Sequence, residues 1–300
     1  MADARTPLGF VGLGLMGTPI ALKLREAGYP LQVWGRTPAK LAPALQRGAT
    51  AAGSGRALGA ASDVVFLCVT DGAAVEAVVF GPDGIASAKK RGLTIVDHSS
   101  IAPDVTRRLA QRFKDETGGD WIDAPVSGGI PGVRNKTLAV MAGGDAAAFE
   151  RVRPIVMSYA GRFTLMGPSG AGQTTKLVNQ ILIGVGFLVL AEATNFAERA
   201  GVDAARIPEA IQGGRADSRL LQEFMPKLAK RDYAVQGRID ILLKDLETIA
   251  QVARETKAAT PLASIATDVH RLLAAAGLGA ADNTEIMRFF DGLAPKGKAG

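Results

Sequence analysis

The sequence predicts an α/β chain in two parts: a doubly wound parallel sheet with helices on both faces, then an all-helical region entered through one long helix. Three observations predict it. Short β-branched runs alternate with helix-length segments through the first half, a glycine-spaced turn joins the first such run to the first helix, and strand-like runs stop after Gly170. Alternation of this kind builds parallel sheets, because each helix crosses over and returns the next strand in the same direction.

Taken in order, residues 8–11, 31–34, 64–69 and 93–96 are expected strands, each followed by Gly, Pro or Ser punctuation. Residues 18–27, 39–46 and 103–114 are expected helices, and further short strands are expected at 121–123, 138–142 and 162–165. Residues 173–199 predict a helix unusually long for a globular chain. Beyond it, Gly201, Pro208, Gly213, Gly214, Pro226 and Gly237 are read as helix breakers. The expected domains are 1–168 (sheet), 169–295 (helical) and a frayed tail at 296–300.

With 300 residues and 47% hydrophobic content, the chain can bury a sizeable core, which excludes a disordered protein or a small disulfide scaffold. One cysteine, Cys68, and two histidines, His98 and His270, match no zinc-ligand spacing, so no metal site is expected. The opening MADARTPLGF lacks a basic head followed by an apolar stretch, and a reducing, cytoplasmic location is expected. The longest apolar run, residues 181–191, is shorter than the roughly 20 residues of a membrane span, so no membrane partner is expected. The net charge of +6 is spread over short clusters, such as Lys89, Lys90 and Arg91, with only three Tyr and two Trp to stack on bases; no nucleic-acid partner is expected.

Gly12, Leu13, Gly14, Leu15, Met16 and Gly17 spell GxGxxG directly between an expected strand and an expected helix, the context in which this motif signifies a dinucleotide. The first glycine permits a tight turn, the second a close backbone approach to pyrophosphate, and the third close helix-to-strand packing. About 20 residues further on, an NAD site places an acid on the ribose. Here the second strand ends in Val33-Trp-Gly-Arg36-Thr37, with no acid. Arg36 can pair with a 2′-phosphate and Thr37 can donate to it, so NADP is the preferred cofactor and NAD a possible one. Val69 and Thr70, at the end of a later strand, fall where such folds pass the ribose.

Four motifs then occur in order: GFVGLGLMG at 9–17, DAPVSGG at 123–129, GAGQTTKLVN at 170–179 and KDL at 244–246. Together they make the chain resemble the β-hydroxyacid dehydrogenase family over residues 8–293. HSSIAP at 98–103, AIQGGRADS at 210–218 and GLGAAD at 277–282 are most similar to its tartronate semialdehyde reductase branch. The resemblance implies a Rossmann-type cofactor domain, a helical domain for substrate and assembly, and a homodimer or homotetramer. It also implies reduction of a short carboxylated aldehyde, such as tartronate semialdehyde, to its hydroxyacid. Alternatives are 3-hydroxyisobutyrate oxidation and the reduction of glyoxylate or succinic semialdehyde. An imine reductase or a non-catalytic scaffold would lack the family lysine, which is present here.

Reducing an aldehyde requires a proton donor for the developing alkoxide. On its residues alone, Lys176 reads as a solvated helical charge, the usual place of a helical lysine. The resemblance makes it the general acid and base, with Asn179, three residues on, beside it. Ser127, Gly128 and Gly129 read as a turn that exposes N–H groups, and the resemblance makes them the substrate-carboxylate site. It likewise places Ser100 and Lys244 against the cofactor, and treats 173–175 as uninformative. His98 is read as structural and Cys68 as a small core hydrophobe.

Overall fold

The computed structural model describes residues 6–292. The tail expected at 296–300, the last residues of the region expected to end at 295, and the first five residues of the N-terminal segment lie outside them. The chain divides into two compact units, at Lys176 and Leu177.

In the first unit the strands are β1 (Leu8–Val11), β2 (Leu31–Trp34), β3 (Thr50–Ala51), β4 (Val64–Leu67), β5 (Thr94–Asp97), β6 (Asp120–Asp123), β7 (Val126–Ser127), β8 (Leu138–Gly143) and β9 (Ala160–Gly167). Its helices are α1 (Gly17–Glu26), α2 (Pro38–Leu45), α3 (Gly55–Ala61), α4 (Gly72–Phe80), α5 (Pro103–Thr117), α6 (Gly129–Arg134) and α7 (Ala146–Val156). The sheet runs β3-β2-β1-β4-β5-β6-β8-β7, with β9 paired to β8. It is parallel from β3 through β6; β8 then joins β6 antiparallel through Asp123 and Gly143. The order reverses between β1 and β4, which opens a crevice at their carboxyl ends, where the Gly12 turn begins.

Both faces of the central strands are buried, as a sheet covered on two sides requires. Along β4, Val64 and Phe66 join one core with Leu8, Phe10 and Val96, while Val65 and Leu67 join the other with Val11, Ile95 and Phe113. The expected strand at 64–69 ends at Leu67, because the Val69 N–H turns to the Ser99 hydroxyl, 3.0 Å away. The expected strands and helices have counterparts here, and the two-residue strands β3 and β7, the short α6, and α3, α4 and α7 are additional. α3 is short and α4 nearly uniformly apolar, so neither has a polar face to read, whereas α7 sets buried Phe149, Val152 and Val156 against exposed Glu150, Arg151 and Arg153; all three carry a cap, with Ser54, Asp71 and Asp145 accepting the N–H three residues on.

One helix, α8 (Ala171–Arg199), leads on into the second unit. There follow α9 (Ile207–Ala210), α10 (Arg219–Lys230), α11 (Ile239–Thr256), α12 (Pro261–Leu273) and α13 (Met287–Asp291), with no strand among the described residues past Gly167. By length and composition alone α8 could cross a membrane. Its Phe187, Leu190, Ala191 and Ala197 instead pack into the core of the second unit with Met225, Leu246, Ala266 and Leu273. Pro226 does not break its helix. It lies inside α10, whose Leu221, Met225 and Leu228 are buried at helical spacing, and that packing outweighs the roughly 3 kcal/mol cost of an interior proline. Arg231, at φ 52°, closes the unit by gripping Glu198 at 2.8 and 2.9 Å and Asp291 at 2.7 and 2.8 Å.

His98 and Asp97 bury titratable groups with opposite consequences. His98 is enclosed, Nδ1 lying 2.6 Å from the Ala124 carbonyl and Nε2 2.7 Å from the Tyr159 hydroxyl, and burial lowers it to about 4. The unfolded chain therefore binds a proton between pH 6.5 and 4 that the folded one refuses, which removes about 3 kcal/mol of stability as pH falls through that window. Burial raises Asp97 to about 7, so its favourable contribution is complete below 3.8 and lost as pH rises to 7. Thermal unfolding at pH 5 and pH 8 checks the second effect: Asp97→Asn should raise Tm at pH 8 and gain less at pH 5. An equal gain at both pH values would contradict it.

Candidate active site

The glycine loop shows which of its glycines the protein itself requires. Gly12 has φ +96°, and a Cβ there would lie 2.1 Å from the Cys68 carbonyl oxygen at the end of β4. At Gly17 a Cβ would lie 1.9 Å from the Gly12 oxygen. Gly14 is exposed, and a Cβ built on it meets nothing within 4 Å. Packing thus explains the first and third glycines, while the second keeps clear a space that the chain does not fill. Beside it Leu15 is 74% exposed, Leu13 is buried and Met16 packs on the core. No side chain caps α1 and no acid stands in its first turn, so the positive end of its dipole is open to an anion. These residues fit the pyrophosphate of a dinucleotide.

Arg36 and Thr37 are exposed past the end of β2; Thr37 opens α2 without a side-chain cap bond, and that first turn also has no acid. Lys40, which the sequence reading passed over, is exposed one turn into α2 and lines a groove of about 690 Å³ with Leu13, Gly14 and Leu15. Its place close after Arg36, at the start of the helix expected from residue 39, was the available signal. Thr70 donates to Asp71 at 2.8 Å, and Asp71 caps α4.

At the carboxyl ends of β5 and β6 the first unit gathers the other predicted residues. Gly128 and Gly129 have φ 124° and 60°, a double left-handed turn closed to most side chains, directly after half-buried Ser127. Lys176 Nζ donates to the Val126 carbonyl at 2.9 Å, which brings the lysine to this turn. Half-buried Ser100 lies between Ser99 and Ile101, both tied to Gln173: its Nε2 donates to the Ser99 carbonyl at 2.7 Å and its Oε1 accepts the Ile101 N–H at 3.2 Å. Gln173 is 1% exposed, so the expectation that 173–175 are uninformative is corrected at Gln173; the Thr174 and Thr175 hydroxyls donate to carbonyls one turn back. Asp123, fully buried, accepts the Gly170 N–H at 2.8 Å and the Gln173 N–H at 2.9 Å. Burial raises its pKa, and these N–H bonds pull against that. His98 takes no part beyond its buried bonds. Half-buried Cys68 has its thiol pushed up to about 12 by burial and by Asp97, which leaves it inert.

In the second unit a polar chain joins the remaining two predicted residues. Asn179 Nδ2 donates to Gln180 Oε1 at 2.9 Å, Gln180 Nε2 donates to Asp245 at 2.6 Å, and Lys244 Nζ lies 3.2 Å from Asp245. Asp245 is 4% exposed, so Lys244 and Asp245 are not a fully solvated pair; one member is sunk in the helical core.

Comparison with known proteins agrees with this architecture. The family described as the NAD binding domain of 6-phosphogluconate dehydrogenase matches residues 7–167, and that described as NAD-binding of NADP-dependent 3-hydroxyisobutyrate dehydrogenase matches 170–290. A 2-hydroxy-3-oxopropionate reductase of Escherichia coli strain K12 is 39% identical over 281 residues, 94% of this chain and 96% of that one. A 2-(hydroxymethyl)glutarate dehydrogenase of Eubacterium barkeri is 32% identical over 95% of this chain and 94% of its own. Among solved structures, a 3-hydroxyisobutyrate dehydrogenase of Mycobacterium tuberculosis, with L-serine, superposes with a TM-score of 0.87 at 27% identity, covering 95% of this chain and 99% of that one. The chain belongs to the β-hydroxyacid dehydrogenase family, in its 3-hydroxyisobutyrate dehydrogenase-like group, and is an NAD(P)-dependent enzyme of that class.

The two kinds of glycine separate experimentally. Gly12→Ala should cost about 2–5 kcal/mol of stability, from the strained φ and the overlap with Cys68. Gly14→Ala should leave thermal unfolding near wild type while weakening cofactor binding. Melting curves with a fluorescence titration of NADPH check both; a Gly14→Ala protein that binds normally would refute the open-space reading.

Proposed function

We propose that the chain is an NADP-preferring reductase of short carboxylated aldehydes, converting tartronate semialdehyde to glycerate. The observation that carries the reading is Lys176, held at the Val126 carbonyl beside the Ser127-Gly128-Gly129 turn. This puts an ammonium next to a concavity of backbone N–H groups suited to a carboxylate. The nicotinamide cofactor supplies the hydride when bound. Lys176 gives its proton to the carbonyl oxygen as that oxygen gains charge, and in the oxidative direction its neutral amine takes the hydroxyl proton. Ser127, Gly128 and Gly129 hold the carboxylate, and Asn179 orients the lysine or the substrate. Gly12 to Gly17 hold the pyrophosphate, Val69, Thr70, Ser100 and Lys244 border the cofactor, and Arg36 and Thr37 with Lys40 take the 2′-phosphate, where no acid repels it.

Similarity to the E. coli reductase over almost the whole chain supports the choice of substrate, and the Mycobacterium tuberculosis structure supports 3-hydroxyisobutyrate as the alternative. In the same reading the enzyme works in the cytoplasm as a homodimer or homotetramer. Val178, Leu182, Val189 and Phe196, exposed at helical spacing on α8, offer apolar surface to a second copy.

Initial rates with NADPH and NADH against tartronate semialdehyde, glyoxylate, succinic semialdehyde and methylmalonate semialdehyde test the reading. Tartronate semialdehyde with NADPH should be fastest, and turnover of none of the four would overturn it. Lys176→Ala should lower kcat about 10³-fold while cofactor affinity holds, and near-wild-type turnover would sink the proposed acid. Arg36→Glu should weaken NADPH about 10–100-fold more than NADH; an equal effect would refute the 2′-phosphate role.

A further inference from the structure

We propose that Asp123 and Gln173 are positioning residues for the reaction: together they fix the first turn of α8, and through it Lys176, against the strand ends that carry Ser100 and Ser127. The inference rests on Lys176 being the proton donor. It begins from how α8 is capped. Elsewhere in the chain Ser54, Asp71, Asp145 and Ser218 each cap the helix that they immediately precede. The local serine before α8, Ser169, has a buried hydroxyl with no hydrogen-bond partner among the described residues. The N–H groups of Gly170 and Gln173 go instead to Asp123, 47 and 50 residues back on β6. A local cap would satisfy those donors equally well. A carboxylate on the sheet adds a fixed position for the helix relative to β6.

The enclosure around Asp123 shows that the arrangement is tight. A Cβ at Gly143 would lie 2.7 and 2.8 Å from its two carboxylate oxygens, and one at Gly172 would lie 2.8 Å from Oδ2. The carboxylate has no second place to go. Gln173 completes the tie on the other side. Its amide bonds the backbone on both sides of Ser100, and Ser99 in turn accepts the Val69 N–H with its hydroxyl. One short segment, 170–176, is thereby pinned to the ends of β6 and β5, through Ser99 reaches the end of β4, and bonds the Val126 carbonyl of β7 through the lysine itself. Lys176 follows Gln173 by three residues on the helix, so a shift of the first turn is a shift of its ammonium.

The test is a double-mutant cycle between Gln173→Met, which keeps volume and removes both amide bonds, and Lys176→Ala, assayed with NADPH and tartronate semialdehyde. Gln173→Met should lower kcat about 100-fold, the cost of a misplacement near 1 Å, with KM and NADPH affinity close to wild type. In the Lys176→Ala background it should lower kcat no further. An equal loss in both backgrounds would make Gln173 merely structural, and wild-type kcat for Gln173→Met with Lys176→Ala inactive would overturn the inference while sparing the lysine. Wild-type turnover by Lys176→Ala would overturn both. Two further measurements keep the test independent of folding and of substrate choice. Reductive methylation of the cofactor-free protein, read at Lys176 by peptide mass, should run faster in Gln173→Met; an unchanged rate counts against the inference.

Gln173→Glu mimics the amide only while its carboxyl is protonated, when it can still donate to Ser99 and accept from Ile101. Asp123, which accepts the Gln173 N–H, and Asp97, which accepts the Ser99 N–H and is raised to about 7, are the titratable groups beside it and are present in both proteins. Its kcat should therefore approach wild type at low pH and fall as pH rises, relative to wild type measured alongside. A pH-independent ratio between the two would refute the positioning role.

Discussion

The interaction on which the rest of the first unit depends is the buried carboxylate of Asp123 beneath the first turn of α8. Burying a carboxylate is costly, and Asp123 shows the cost as a raised pKa. The bonds that offset it are backbone N–H groups at a helix start, where the helix dipole also favours negative charge. Hence the helix start is anchored to the end of β6, with Gln173 adding a tie at the end of β5, and the residues that follow inherit its position. Lys176 stands at the Val126 carbonyl because α8 starts where Asp123 holds it.

At the topological switch of the sheet a second constraint operates, by exclusion. The backbone of Gly12 passes so close to that of Cys68 that a side chain on the glycine has no room, and Gly17 is confined by Gly12 in the same way. This contact brings β1, its turn and α1 into one compact corner. Of the three loop glycines, Gly14 is the one that no neighbour demands, and its place at the helix start fits the close approach of a pyrophosphate.

The second unit organises its polar residues by a different device, a chain of side-chain amides and carboxylates inside a helical core. Asp245 is satisfied by Gln180 and by Lys244, and Gln180 in turn receives Asn179. Such a network is stable only when each member finds its partner, so it holds Asn179 and Lys244 in one arrangement. The motif segments read as branch markers serve the fold too. Asp217 accepts the Gly213 N–H at 2.8 Å, and Asp282 gathers the N–H groups of Gln236 and Gly237 at 2.6 and 2.9 Å. These motif residues hold loops.

Much of this was determined by the sequence alone. Alternating β-branched runs and helical stretches require a two-sided sheet, because their apolar faces have no other way to leave water. GxGxxG between strand and helix specifies the turn, since only glycine takes the φ at position 12, and the absence of an acid after β2 is legible as composition. Only the tertiary structure decided the rest. Direction in the sheet past β6, Pro226 inside α10, and α3 and α4 depend on packing and caps that periodicity does not register. The role of Gln173 was invisible because its partners, Ser99, Ile101 and Asp123, lie 50 to 74 residues away along the chain. A hydrogen bond acts over about 3 Å, and which residues come that close is settled by the fold rather than by neighbours in sequence.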